Sequence, residues 1–207
     1  MQKLSDFMMA RSKYPVLTSE IIVGLQPSKF FSSALAKIIL VVFGSLLLAF
    51  SAQIKIPLYP VPITGQTLVV LLIGMTYGSK LGGATILLYL LQGLVGLPVF
   101  AGSAAGIATL LGPTGGYLCG FLIAAIVMGY LAESGMGRHF ISTAISMAIG
   151  NVIIYLIGVI WLTNFIGIEK ALAVGVLPFL YGDALKLIVA AVLMPLAWRL
   201  VKGLKKY

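Results

Sequence analysis

The feature that most restricts the fold of this chain is an uncharged stretch that runs from Leu81 to Ala132. A soluble globular domain carries roughly 25% charged residues, whereas this chain has 9% charged and 60% hydrophobic residues. This amount of charge is too small to cover a water-facing surface. Most of the surface must therefore face lipid. The apolar runs are continuous and lack the period-two alternation of a membrane β-barrel. The sequence therefore predicts an all-α integral membrane protein.

Charged and breaker-rich segments divide the chain into six apolar stretches. A membrane-spanning helix needs about 20 apolar residues, and Pro- and Gly-rich segments interrupt helices. The predicted spans are about Ser33–Gln53, Thr64–Tyr77, Leu81–Gly96, Gly115–Ala132, Phe140–Thr163 and Leu177–Trp198. We expect one six-helix bundle over residues 33–207. Residues 1–32 form a predicted cytoplasmic extension, either as a helix on the membrane surface or as a poorly ordered tail.

The distribution of basic residues predicts the orientation. With six spans, both termini share one side with the turns at Lys80 and Arg138. The other side has Lys55 and Lys170 outside the spans. The basic residues of the first side are Lys3, Arg11, Lys13, Lys29, Lys37, Lys80, Arg138, Arg199, Lys202, Lys205 and Lys206. Because positive residues accumulate on the cytoplasmic side, we expect a multi-pass cell-membrane protein with both termini in the cytoplasm. Five spans would separate the termini and split the basic clusters.

The net charge of +9 predicts contact with the lipid bilayer. The basic residues flank the apolar runs and cluster at the C-terminus, as is typical of contact with anionic lipids. No nucleic-acid partner is expected.

The Pro- and Gly-rich connections after spans one, three and five all fall on the outer side. Irregular backbone at membrane depth is tolerated where it is buried in protein or lines a cavity. A binding pocket is therefore predicted in the outer half of the protein.

Asp183 and Lys186 are the only formal charges between Leu177 and Trp198. Residues three apart on a helix share a face and can pair. A charge at the bilayer centre costs about 2.5–3.5 kcal/mol on the insertion scale, and such residues usually mark function. The alternative is a structural ion pair near the outer interface.

Further candidate pocket residues are amides, aromatic side chains and glycines near the outer connections. Glycines at a helix start can expose N–H groups to an anionic ligand, although Gly112, Gly116 and Gly120 have the spacing of close helix packing. These candidates are Gln66, Tyr89, Gln92, Gly115, Gly116 and Tyr117. Together with the charged pair they suit a small amphipathic solute with donor and acceptor groups.

Catalysis is not expected. The chain has one His and one Cys, and its five acidic residues are spread along the sequence. This composition offers neither a metal-ligand cluster nor a nucleophile with its base. No metal site and no cofactor are predicted.

Four motifs together resemble the BioY family, the biotin-binding membrane subunits of energy-coupling-factor (ECF) transporters. They are Ile56-Pro-Leu with Val61-Pro-Ile-Thr-Gly-Gln66, Leu88-Tyr with Gly93-Leu-Val-Gly-Leu-Pro-Val-Phe-Ala-Gly102, Gly112-Pro-Thr-Gly-Gly-Tyr-Leu-Cys-Gly-Phe121, and Gly182-Asp-Ala-Leu-Lys186. The resemblance implies six helices and high-affinity biotin binding near the outer surface. It also implies a membrane-embedded coupling subunit and two ATPase subunits as partners.

The resemblance implies that Asp183 and Lys186 meet the ureido ring of biotin, with Gln66 and Gly115-Gly116-Tyr117 near the pocket. A carboxylate accepts from ureido N–H groups and an ammonium donates to the ureido oxygen. The open alternatives are a stand-alone facilitator, a proton-coupled carrier that uses the same pair, and an S component for a different vitamin.

This chain departs from the family pattern in two places. Some members hold the biotin carboxylate with an arginine, but none occurs between Arg11 and Arg138. Recognition of the carboxylate must then use backbone N–H groups, Lys55 or Ser103, or it is weak.

The second departure concerns docking. Related subunits dock their partner through Ala-x-x-x-Ala on the first helix. The nearest equivalents here are Ser32-x-x-x-Ala36 and Ser45-x-x-x-Ala49, with Lys37 intruding.

Overall fold

The computed structural model describes residues 15–24 and 33–204, which are mostly helical. The helices are α1 (Leu17–Gly24), α2 (Ser33–Gln53), α3 (Gln66–Leu94), α4 (Ile107–Leu111), α5 (Gly115–Glu133), α6 (Phe140–Ile166), α7 (Ile168–Gly175) and α8 (Leu177–Leu204). Two short antiparallel strands, β1 (Lys55–Ile56) and β2 (Ile63–Thr64), join α2 to α3. The predicted connection before span six contains α7.

Within the described residues, five helical stretches are long and apolar enough to cross a membrane. They are Ala34–Gln53, Gln66–Leu94, Gly115–Glu133, Phe140–Ile166 and Ile168–Val201. Large apolar side chains such as Ile38, Phe43 and Phe50 lie exposed on α2. An exposed apolar surface of this kind is favourable in contact with lipid and unfavourable in contact with water.

Helix α3 is a hairpin, because the chain reverses at Gly78, where φ is 82° and ψ is 176°. In a straight helix Gln66 and Tyr89 would be about 34 Å apart. Their side chains are instead hydrogen-bonded, with Gln66 Nε2 2.7 Å from Tyr89 Oη. The reversal falls between the predicted second and third spans.

Small residues allow the helices to approach closely. An ideal Cβ on Gly74 would lie 2.6 Å from the carbonyl oxygen of Ala125, and one on Gly129 would lie 2.1 Å from the backbone nitrogen of Ser79. Real Cβ atoms do not approach backbone that closely. Glycine is therefore required where α5 crosses α3, as in other membrane bundles with small residues at helix contacts.

Gly129→Ala is expected to lower the melting temperature of the purified protein. Its methyl group would overlap rigid backbone of α3, and overpacking of this kind costs about 1–3 kcal/mol. Gly203→Ala is the matched control, because an added Cβ there meets nothing within 4 Å. Thermal unfolding in detergent measures both variants. Equal melting temperatures for the two would contradict the close approach of α3 and α5.

Part of the predicted N-terminal extension packs against the bundle as α1, at the end that carries the Gly78 reversal. Thr18 Oγ1 donates to the Thr76 carbonyl at 3.1 Å, and Arg138 Nη2 donates to the Pro15 carbonyl at 3.2 Å. The Arg138 guanidinium also lies 4.7 Å from the centre of the Trp198 ring. Residues 15–24 are thus tied to α3, α8 and the turn between α5 and α6.

Candidate binding site

A cavity of ≈ 190 Å³ lies at the end of the bundle opposite the Gly78 reversal. It is bordered by the β1–β2 connection, the loop after α3, and the start of α5. Its apolar lining includes Val61, Phe100, Leu118, Phe121, Ile154 and Phe179. Its polar lining comprises Thr64, Gln66, Thr67, Thr109, Thr114, Tyr117, Tyr155 and Lys186. The cavity is therefore mostly apolar with a polar region, as is typical of small-molecule sites.

Lys186 points into this cavity from α8 with all of its donors occupied. Its Nζ lies 2.9 Å from Asp183 Oδ1, 2.8 Å from the Thr64 carbonyl oxygen and 2.8 Å from Thr67 Oγ1. An ammonium has three N–H donors, and three acceptors surround it here. The predicted pairing of Asp183 with Lys186 is confirmed.

Asp183 is the most deeply buried charge of the site, with 4% of its surface exposed. Its Oδ1 also accepts from Thr67 Oγ1 at 3.2 Å, and its Oδ2 accepts from the Tyr155 hydroxyl. Burying a carboxylate is costly unless its lone pairs are satisfied. These bonds from α3, α6 and α8 hold the charge in place beside the cavity.

Gln66 opens α3 and lines the cavity, as predicted for a pocket residue. Its Nε2 donates to Tyr89 Oη at 2.7 Å, and its Oε1 accepts from Thr64 Oγ1 at 3.1 Å. The Tyr89 hydroxyl donates to the Val99 carbonyl at 3.1 Å. Tyr89 is fully buried behind Gln66 and is not part of the cavity lining, so it positions the amide and does not face a ligand.

The remaining candidates lie at the start of α5 and differ in what they contact. Tyr117 lines the cavity, and its hydroxyl donates to the Gly175 carbonyl at 2.9 Å. Gly115 and Gly116 are buried; an ideal Cβ on Gly116 would lie 2.2 Å from Trp161 Cβ. Close packing therefore accounts for the two glycines.

Gln92 is not part of the cavity lining. Its Oε1 is buried and has no hydrogen-bond partner within the described residues. Because Gln92 does not line the cavity, its position does not support the predicted contact with a ligand.

Tyr155 and Thr67 are the residues bonded to Asp183 that sequence reasoning missed; Thr64, Thr109 and Thr114 of the cavity lining were also missed. Tyr155 lies on α6 and reaches Asp183 across 28 positions of sequence. A tyrosine in an apolar span is not distinguishable from a packing residue without that contact. The one sequence signal that could have indicated Thr67 is that it directly follows Gln66.

The predicted docking residues of α2 are placed differently from one another. Ala36 is partly exposed, Ala49 is partly buried against the core, and Ser32 lies outside the described residues. Ser45 is 0% exposed and donates to the Val42 carbonyl at 2.9 Å. A fully buried side chain cannot meet a partner in this conformation, so Ser45 is removed from the predicted docking face.

The sequence model of the BioY family matches residues 24–203. The chain belongs to the BioY family. It is 44% identical over 142 residues to the probable biotin transporter BioY of Pyrococcus horikoshii, covering 69% of this chain and 83% of the relative. It is 43% identical over 148 residues to the biotin transporter BioY of Thermotoga maritima, covering 71% of this chain and 86% of the relative.

The fold of this BioY-family chain also matches a solved structure, the S-component for biotin from an ECF-type ABC transporter. The TM-score is 0.71 with 26% identity, and the match covers 82% of this chain and 95% of the other. The resemblance read from the motifs is therefore confirmed. Membership places the chain among membrane transporters and not among enzymes.

Proposed function

We propose that this chain binds biotin with high affinity and serves as the substrate-specificity subunit of an ECF-type biotin transporter. The observation that carries the proposal is the buried Asp183–Lys186 pair beside a mostly apolar cavity. Membrane proteins retain such charges at substrate sites because the charges are expensive to bury. The relatives named as biotin transporters support biotin as the solute.

The chemistry of the site suits the two parts of biotin. Its ureido group has two N–H donors and one carbonyl acceptor, while its thiophane ring and aliphatic chain are apolar. Asp183 can accept from a ureido N–H group in place of Thr67, whose hydroxyl can rotate to another acceptor, while the Tyr155 hydroxyl continues to donate to Oδ2. Lys186 can donate to the ureido oxygen by exchanging one of its protein acceptors. Phe121 and Phe179 then offer apolar contact to the ring and chain.

Six membrane crossings are part of the proposal. Since α3 reverses at Gly78, its two arms each account for one crossing, and the five apolar stretches give six. An even number places both termini on one side, and the positive-inside rule places that side in the cytoplasm of the cell membrane. The cavity, at the other end of the bundle, then opens toward the outside, where biotin is captured.

The proposed partners are a membrane-embedded coupling subunit and two ATPase subunits. The solved relative is a component of an ECF-type ABC transporter, and α2 offers an exposed apolar face to a membrane partner. Biotin is the transported ligand, and no cofactor is assigned.

Uptake of labelled biotin by cells that lack their own biotin transporter tests this assignment. We expect uptake that requires both this chain and a co-expressed coupling module, and that is lost when ATP is depleted. Uptake by the chain without the module would indicate a stand-alone carrier. Uptake of a different vitamin but not of biotin would overturn the solute.

Tyr155→Phe is expected to weaken biotin binding about tenfold. The change removes the hydroxyl that holds Asp183 Oδ2 but keeps the ring, and a hydrogen bond to a charged group contributes roughly 1.5–3 kcal/mol. Tyr130→Phe is the control, because Tyr130 is exposed and lies outside the cavity lining. Titration calorimetry measures both variants, and an unchanged dissociation constant for Tyr155→Phe would exclude a role for this bond.

A further inference from the structure

A second, smaller cavity adjoins the binding cavity at the contact between Thr67 and Lys186. These two residues line both cavities, so their side chains form the partition between them. The other residues that line the small cavity are Leu68, Leu71, Met147, Asn151 and Leu187. The space is too narrow to hold a water molecule. A polar group that faces it must therefore find its partner in the protein.

Asn151 is a polar residue of this small cavity that has no bond in the site described above. It lies on α6 within an apolar span, and its side chain has no hydrogen bond to any residue of 15–24 or 33–204. Polar side chains in such spans usually bond to a neighbouring helix. Tyr155, one turn further along the same face of α6, bonds to Asp183 of α8. The amide of Asn151 is thus placed next to the charged pair with its acceptor unused.

The Thr67 hydroxyl has two bonds in the ligand-free protein, one of which the proposed complex replaces. It donates to Asp183 Oδ1 at 3.2 Å and accepts from Lys186 Nζ at 2.8 Å. When a ureido N–H group takes its place at Asp183, the hydroxyl needs a new acceptor, because a buried donor without a partner is costly. Among the side chains of the small cavity, the Asn151 amide offers that acceptor. The ammonium of Lys186 only donates, and the remaining lining is apolar.

We propose that Asn151 is a positioning residue of the biotin site, whose amide oxygen accepts the Thr67 hydroxyl when the ligand displaces it from Asp183. This assignment rests on the proposed function, in which the ureido group binds at Asp183 and Lys186. Asn151 does not line the binding cavity and does not touch the ligand. It acts through Thr67, so that Asp183 Oδ1 can accept from biotin without leaving a buried hydroxyl unpaired.

Titration calorimetry of the purified full chain with biotin, together with thermal unfolding of the ligand-free chain, tests the assignment. Asn151→Leu nearly keeps the volume of the side chain and removes the amide. We expect it to bind biotin about tenfold more weakly, which corresponds to about 1.4 kcal/mol. The melting temperature of the ligand-free variant should not fall, because no hydrogen bond of that state is lost. Asn151→Ala, which cannot overpack the small cavity, should show the same loss of affinity.

The same substitution in a Thr67→Val background tests whether Asn151 acts through the hydroxyl. That background has no hydroxyl to accept, so Asn151→Leu should change the affinity for biotin no further. Asn164→Leu is the matched control, because Asn164 is an exposed asparagine of α6 outside the lining of both cavities. It should bind biotin like the wild-type chain.

Wild-type affinity in Asn151→Leu would overturn the assignment and leave the proposed function intact; the Thr67 hydroxyl would then turn to a backbone carbonyl. An equal loss of affinity with and without the Thr67 hydroxyl would also overturn it, because Asn151 would then act through packing alone. A wild-type chain that does not bind biotin would overturn the proposed function itself, and this assignment with it.

Discussion

Asp183→Asn is expected to lower the affinity for biotin by a hundredfold or more and to lower the melting temperature of the ligand-free protein. The substitution keeps the shape of the side chain but removes the charge that Lys186 contacts at 2.9 Å. Removing one partner of a buried pair costs about 3–5 kcal/mol of folding stability. Each lost hydrogen bond between a ureido N–H and the charged group costs roughly 1.5–3 kcal/mol of binding, and each 1.4 kcal/mol is about a factor of ten in affinity. The amide would also present a donor where the carboxylate accepts from Thr67 or Tyr155.

Glu169→Gln is the control for Asp183→Asn, because Glu169 is exposed on α7. It should bind biotin like the wild-type chain. Titration calorimetry and thermal unfolding measure both properties. If Asp183→Asn bound biotin as tightly as Glu169→Gln, the carboxylate would have no part in the site.

Lys186→Met should abolish biotin binding and destabilise the protein, whereas the double variant Asp183→Asn with Lys186→Met should recover stability without recovering binding. The single change leaves a carboxylate with 4% exposure and no cation. Replacing both members of a buried pair by neutral groups is often neutral for stability. The double-mutant cycle therefore separates the coupling between the two charges from their contacts with biotin.

The melting temperatures of the two single variants and the double variant give the coupling, and biotin titration gives the binding. If the double variant were as stable as the wild-type chain and bound biotin with wild-type affinity, the pair would have a structural role only. That is the alternative interpretation of the charges in the sequence.

The helices and the charged pair could be predicted from sequence because both depend on local properties. Hydropathy and helix breakers gave α2 with the same bounds as the predicted first span, and the turn at Gly78 falls where the sequence places a reversal. The pairing of Asp183 with Lys186 follows from their separation on one helix. None of these features depends on how distant helices pack.

The remaining site features depend on such packing. Tyr155 became a site residue because α6 places it opposite Asp183. Gly116 packs against Trp161, which the glycine pattern at a helix start could not distinguish from a ligand contact. Ser45 has the spacing of a docking motif, but spacing alone does not reveal that its side chain is fully buried. In each case the sequence identified a residue type suited to a contact and could not identify the neighbour.

Biotin titration of the purified, ligand-free chain tests the central claim most directly. The structure and the relatives predict saturable high-affinity binding with one biotin per chain, at the site beside Asp183 and Lys186. The affinity should fall by a hundredfold or more in Asp183→Asn and stay unchanged in Glu169→Gln. A folded wild-type chain that fails to bind biotin would contradict the account.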